Sequence, residues 1–339
     1  MAFTRDVLKI DTDSVVGHIA SRIRELVLIS LRRRGAVVGI SGGIDSSVCA
    51  ALCVRALGKE NVIALSMPER DSSSESLQLG RKLAEKFEIP LVVENIGPIL
   101  EGAGCYRRQL EAIRKVFPEY GEGWKNKINL PSILEGDRLN VSRLTVETPS
   151  GEQKTARIPY AAYLQLVAAT NFKQRTRTMM EYYHADRLNY AVCGTPNLLE
   201  YDQGFFVKGG DGLADFKPIA HLFKTQVYAL ARALGVPEEI CGRTPTTDTF
   251  SLPQTQEEFY FALPYEEMDL CLYAHNHGIP AVEVAPVIGL TPDQVTRVYN
   301  DIETKRRTTL PLHLTSLLIS QVDEIHSMTH SATQSKLGS

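Results

Sequence analysis

The stretch from Val37 to Ser47, V-V-G-I-S-G-G-I-D-S-S, constrains the rest of the chain more than any other. An apolar run, Ala36 to Ile40, stops at Ser41, Gly42 and Gly43, and an apolar segment of helical period (Val48, Ala51, Leu52, Val54, Leu57) follows at once. That order is strand, tight turn, helix. The glycines let the backbone take φ > 0 and approach a ligand, while the free N–H groups of the new helix and its positive dipole end point the same way. Such a loop is shaped to hold an anion, most simply a phosphate or pyrophosphate. Ser41, Ser46 and Ser47 add hydroxyl donors. Asp45 is a carboxylate among anion-seeking groups, which makes physical sense with a divalent cation between it and the phosphates. The string is not a G-x-x-x-x-G-K-[ST] loop, because no lysine follows the glycines.

Around this loop, apolar strands and helical segments alternate. Asp13 to Arg33 predicts a helix leading into the first strand; Asn61 to Ser66 reads as a second strand, Asp71 to Glu75 offers caps for a helix through Leu77, Leu79, Leu83, Ala84 and Phe87, and Leu91 to Ile96 reads as a third strand. A strong helix spans Ala161 to Arg187, a fourth strand with its loop follows over Leu188 to Thr195, and Lys224 to Leu234 is helical, stopped by Gly235 with Pro237 beyond. The alternation predicts an α/β chain: a Rossmann-like, doubly wound parallel sheet with helices on both faces, ligands lying at the carboxyl ends of the strands. A helical C-terminal segment closes it, with helices over Tyr265 to Asn276 and Thr291 to Lys305 joined by a Pro-containing turn.

Residues 1–310 form one domain in this scheme. From about 97 to 160 the pattern loosens into a partly ordered insertion with a hairpin tip near Pro149 to Glu152, and residues 311–339 form a C-terminal segment whose polar tail is expected to be disordered. A chain of 339 residues, 43% hydrophobic, buries a full core, and a net charge of -3 calls for neither nucleic acid nor an anionic membrane surface. With neither a signal-peptide core nor a spanning apolar run, a soluble cytoplasmic protein is expected. Six scattered cysteines, without a C-x-x-C pair, suit small buried groups better than ligands or disulfides.

The S-G-G-I-D-S string resembles the loop of the N-type ATP pyrophosphatases, which split ATP into AMP and pyrophosphate; the competing explanation is a plain glycine turn capped for stability. A second stretch sharpens the resemblance. Between Gly204 and Pro218 the chain packs glycines, aspartates and lysines without apolar periodicity, as binding loops do, and Phe205 and Phe206 pin one end. Together with C-G-T-P-N-L-L-E before it and Lys224 after it, this resembles the ammonia-dependent NAD synthetases. N-F-K-Q-R-T-R-T-M-M, R-T-P-T-T-D and K-R-R-T-T-L-P resemble further motifs of that family, and the likeness covers most of the chain except the insertion.

The resemblance implies a two-step amidation: the carboxylate of deamido-NAD attacks ATP, giving an adenylated intermediate and pyrophosphate, and ammonia then displaces AMP to leave NAD. Carried onto this sequence, Gly39, Ile40, Ser41, Gly42, Gly43, Ile44, Asp45 and Ser46, with Thr195, Lys224 and Thr246, would hold ATP as co-substrate. Lys224 would act as a point charge on phosphate. Asp45 and Glu200 would bind Mg²⁺; Arg175, Lys208, Asp215 and Lys305 would contact deamido-NAD; Asp211 would orient or deprotonate ammonia. The family also implies a homodimer. Three departures fall where the dinucleotide would lie: Thr304 stands before Lys305 where the family has His, Gly209 and Leu213 replace Tyr and Gly, and the insertion is long. No glutaminase can be assembled, so free ammonia, or ammonia from a separate protein, is the expected nitrogen source. A related ligase amidating another carboxylate, and a non-catalytic nucleotide-binding module, are the alternatives; the retained Asp45, Glu200 and Lys224 speak against the latter.

Overall fold

The computed structural model describes residues 3–129, 142–245, 250–255, 260–261 and 263–320. Strand β1 (Ala36–Gly39) lies between β2 (Val62–Ser66) and β7 (Ala191–Cys193), and β3 (Leu91–Val93) adds outside β2, all parallel, in the order β3-β2-β1-β7. Ala36 sits opposite Val62 on one side and Ala191 on the other. Successive β1 residues face opposite layers. Ala36 and Val38 join a core with α1 (Thr12–Arg24), α2 (Ile44–Leu57), α3 (Ser74–Phe87) and α8 (Lys224–Leu234). Val37 joins another with α4 (Gly97–Gly102), α5 (Cys105–Arg114) and the long α6 (Tyr160–Leu188). A continuous apolar strand is what a sheet covered on both faces requires, so the doubly wound α/β architecture stands as expected. Helix α2 is the most enclosed: ten of its 14 residues are buried, which its small alanines, serines and cysteines permit.

β3 is shorter than expected, but Glu94 and Ile96 still donate to Ser66 and Pro68 (2.9 and 3.1 Å). The region expected to loosen at Gly97 begins with α4 and α5, packed on α6, and continues into a separate antiparallel sheet. That sheet comprises β4 (Lys125–Asn129), β5 (Arg143–Glu147) and β6 (Gln153–Arg157), in that order. The β5-β6 hairpin turns where the sequence indicates, with Gly151 at φ +86°. Ile128, Leu144 and Val146 pack this sheet on α5 and on Ala162 and Leu166 of α6. Sequence periodicity missed the helices because their amphipathic runs are short and flanked by glycines.

Two further short helices differ in where they pack: α7 (Leu198–Gln203) puts Leu199 into the core of the C-terminal part, and α9 (Glu238–Cys241) puts Ile240 and Cys241 into the core shared by α2 and α8. The C-terminal part holds three helices where two were expected. Between α10 (Tyr265–Asn276) and α12 (Pro292–His313) the supposed turn contains α11 (Ala281–Ile288), whose Val284, Ala285 and Ile288 reach the core despite Pro286. α12 also runs past Lys305 to His313, with Pro311 in its last turn, where few residues follow for the proline to disrupt. The polar ending expected to be disordered lies outside the described residues.

Candidate active site

A cleft of about 710 Å³ opens at the carboxyl ends of β1, β2 and β7. The loop after β1 forms its floor. Gly42 takes φ +73°, and a Cβ there would sit 2.7 Å from the Ser76 carbonyl oxygen, so the position admits glycine alone. Gly43 is extended and serves as N-cap of α2 without a side chain covering the helix start. Ser46 and Ser47 turn their hydroxyls back onto the Gly43 carbonyl (3.0 and 2.8 Å), which leaves the first N–H groups of α2 directed at the cleft. Uncapped helix N-termini of this kind attract anions through aligned donors and the dipole.

Asp45, in the first turn of α2, meets two partners from other elements. Its Oδ2 pairs with Lys224 Nζ and its Oδ1 accepts from Asn197 Nδ2 at 3.1 Å. Asn197 also caps α7 in a capping box with Glu200, which places Glu200 beside Asp45. Lys224, the first residue of α8, is wholly buried. Burial alone would lower its ammonium, but Asp45 and then Glu200 outweigh it and the balance is upward. The Glu200 carboxyl is pushed up to about 8 by burial and by the Asp45 charge, Lys224 opposing. Two carboxylates repelling this strongly make an oxygen donor pair for a hard divalent cation. Among the described residues no cluster of three or more metal-ligating side chains forms, so further ligands would come from phosphates.

The opposite wall is one face of α6. Thr170, Gln174, Arg177, Thr178 and Glu181 line the cleft at spacings of three and four residues, with Arg175 at its edge. The Glu181 carboxyl is pushed up to about 8 by burial and by the charge of Asp211, Arg177 opposing; Asp211 itself is pushed up to about 6, chiefly by burial. Asp211 belongs to the glycine-rich segment after α7, which an isolated parallel bridge between Cys193 and Phe216 ties to the sheet. Phe205, Phe206 and Tyr260 make this end aromatic.

Of the residues singled out by sequence, Gly39, Ile40, Ser41, Gly43, Ile44, Asp45, Ser46, Thr195, Glu200, Arg175, Lys208 and Asp211 all line the cleft. Gly42 packs behind the loop on Ser76, and Lys224 reaches Asp45 from beneath. Lys208 donates through Nζ to the Pro311 and Leu314 carbonyls (2.7 and 2.9 Å). Two residues stand apart from the lining. Asp215 accepts from the Val192 N–H (2.8 Å) and from Tyr182 (3.3 Å), tying the loop to β7. Lys305 pairs with Asp301 (2.7 Å) and donates to the Tyr260 carbonyl (2.6 Å). Thr246 lies outside the described residues. Glu181, Arg177 and Arg243 line the cleft without having been foreseen, and the polar stripe of α6 was a readable signal for the first two.

The sequence profile of the NAD synthase family matches residues 15–114 and 141–309, leaving unmatched the segment that carries β4. The NH(3)-dependent NAD(+) synthetase of Mesorhizobium japonicum is 60% identical over 94% of this chain and 100% of its own, and that of Rhizobium meliloti 58% over 96% and 97%. Among solved structures, the NH3-dependent NAD synthetase of Campylobacter jejuni superposes with a TM-score of 0.59 at 21% identity, covering 92% of this chain and all of the other. The NMN synthetase of Francisella tularensis does so with 0.61 at 21%, with the same coverage; these two carry the fold alone. With the profile matched on both sides of the cleft and the relatives aligned nearly end to end, the chain belongs to the NAD synthase family.

Proposed function

We propose that the protein catalyses the ATP-dependent amidation of deamido-NAD with ammonia, through an adenylated intermediate, giving NAD, AMP and pyrophosphate. The observation that carries this is the meeting, at the uncapped start of α2, of Asp45, Glu200 and the buried Lys224. A carboxylate lacks a leaving group, so it must first be joined to the α-phosphate of ATP. The chain's part is positioning and charge neutralisation. The α2 N–H groups hold phosphate, Lys224 adds a fixed positive charge beneath it, and Arg175 with the aromatic end orients the acid.

Asp45 and Glu200 would hold Mg²⁺, which uses one or two carboxylates and fills its remaining positions with phosphate and water. Bound there, the ion supplies neutralisation of triphosphate charge. The exposed Tyr160, Leu164, Met179 and Tyr183 along α6 support a homodimer seated on that helix. No described helix is long and apolar enough to cross a membrane, and ATP as co-substrate supports a cytoplasmic setting. The test is product analysis with ATP, Mg²⁺, ammonium and deamido-NAD, the mononucleotide acid being supplied as competitor. NAD, AMP and pyrophosphate in equal amounts are expected. No pyrophosphate with either acid, or amidation of the mononucleotide alone, refutes the assignment.

A further inference from the structure

The position that nothing so far accounts for is Glu181. It is half-buried, lines the cleft, and lies so close to the end of β1 that a Cβ at Gly39 would sit 2.1 Å from its Oε1. The strand leading into the phosphate loop thus carries a glycine where the α6 carboxylate needs the room. Among the described residues no hydrogen bond or ion pair holds Glu181. Asp211, by contrast, is fixed by the Val207 N–H on its Oδ1 at 2.8 Å. Both carboxylates line the same cleft, close enough for the charge of Asp211 to act on Glu181, and an untethered carboxylate beside a second one is an arrangement for a small cation.

We propose that Glu181, together with Asp211, binds ammonium and accepts its proton in the amidation step, an inference that rests on the function proposed above. Ammonia exists mainly as ammonium at neutral pH, and ammonium has no lone pair to attack with. Two protons must leave the nitrogen on the way to an amide, and the pair offers two acceptors. Ammonium enters as a cation between the carboxylates, and Glu181 takes one N–H proton. The nitrogen lone pair then forms the C–N bond at the carbonyl carbon of the acyl adenylate, the C–O bond to the AMP phosphate breaks with its electron pair leaving on AMP, and the second proton passes to Asp211. Both protons end in water.

The surrounding charges suit this task. Arg177, one turn earlier on α6, is turned to the Met67 carbonyl (3.4 Å) and Gln174; Lys217, near Asp211, donates to the Gly212 carbonyl (2.9 Å); Lys224 is committed to Asp45. None of these cations closes on Glu181. Burial and then the charge of Asp211, which ionises first, hold a proton on Glu181 up to about 8, and a cation arriving beside the pair displaces that proton and frees the carboxylate to accept one from nitrogen.

The experiment compares ammonium with hydroxylamine, which is largely neutral at pH 7 and needs no proton removed before it attacks. In the full-length protein with ATP and deamido-NAD, Glu181→Gln is expected to lower kcat/KM for ammonium at least about 100-fold relative to that for hydroxylamine. Its residual ammonium rate should climb about tenfold per pH unit above neutrality, following free ammonia. An equal loss with both nucleophiles, or none with either, overturns the proposal. If Glu181→Gln does not fold, Glu181→Asp is read by the same ratio. Wild-type protein that releases no pyrophosphate before either nucleophile is added overturns the proposed function, and this inference with it.

Discussion

Replacing Lys224 by Met separates what the cleft needs for stability from what it needs for chemistry. The side chain is 0% exposed and its ammonium pairs with Asp45, itself mostly buried, while Glu200 stands close enough to be strongly repelled by Asp45. Methionine fills similar volume without charge, so the loss is electrostatic. Removing one partner of a buried pair costs about 3–5 kcal/mol, here because Asp45 and Glu200 are left without their cation. For a chain of this size that corresponds to a fall of roughly 4–7 °C in Tm. Asp45→Asn alone leaves a buried ammonium short of its main counter-ion and is costly for the same reason. The double variant removes both charges and should return to within about 2 kcal/mol of wild type. All three variants should lack turnover. The assay is equilibrium unfolding in urea at pH 7 without nucleotide. If Lys224→Met costs under about 1 kcal/mol, or if the single costs simply add in the double variant, the pair is not the electrostatic unit described.

Gly42→Ala should destabilise the protein by about 2 kcal/mol or more and raise the KM for ATP, since the new Cβ meets the Ser76 carbonyl and φ is +73°; unfolding and kinetics indistinguishable from wild type would show that the loop relaxes freely. Arg175→Ala should raise the KM for the acid substrate about tenfold while changing that for ATP far less, and an equal rise in both would remove Arg175 from acid recognition. Thermal unfolding without ligands should show stability declining as pH rises from 5 to 8. Glu181, Asp211 and Asp269 have carboxyls pushed up to about 8, 6 and 7, so across that window the folded state binds more protons than the unfolded. A Tm that rises over the same range would contradict those shifts.

Sequence made the local parts legible. A strand ending in S-G-G and running into an apolar helix is settled within some twenty residues, and the placement of Asp45 follows from it. Contacts between distant segments were not legible. Asp269 on α10 accepts from the Lys224 and Thr225 N–H groups (3.2 and 2.7 Å) and so caps α8 from 45 residues away. Lys173 on α6 is buried against Glu69 and Asp71 (3.0 and 2.6 Å), which pins the segment after β2 to the cleft wall. Nothing in the spacing of these residues announces such pairs. Asp215 illustrates the reverse problem: its motif position suggests substrate, while its oxygens are turned to the Val192 N–H and Tyr182. The short helices α4 and α11 escaped because a run of six to eight residues shows too few turns for periodicity to register.

The charge of the cleft bears on how its ligands cooperate. Asp45, Glu181, Glu200 and Asp211 raise one another's charge cost in this cleft, opposed only in part by Arg177 and Lys224, while Arg175 and Arg243 line the same space. The carboxylates are under-compensated without ligands: burial and mutual repulsion hold Glu181 and Glu200 protonated into the neutral range. Cations relieve that repulsion, and anions satisfy the arginines and the open start of α2. A cation that settles among the carboxylates also lowers the field opposing triphosphate, and triphosphate in turn lowers the cost of gathering positive charge beside it. Each ligand class therefore raises the affinity for the other by the same factor. With nucleotide, a divalent cation and ammonium bound as proposed, their combined charges would offset the like-charge repulsion that the carboxylates of the cleft hold between them.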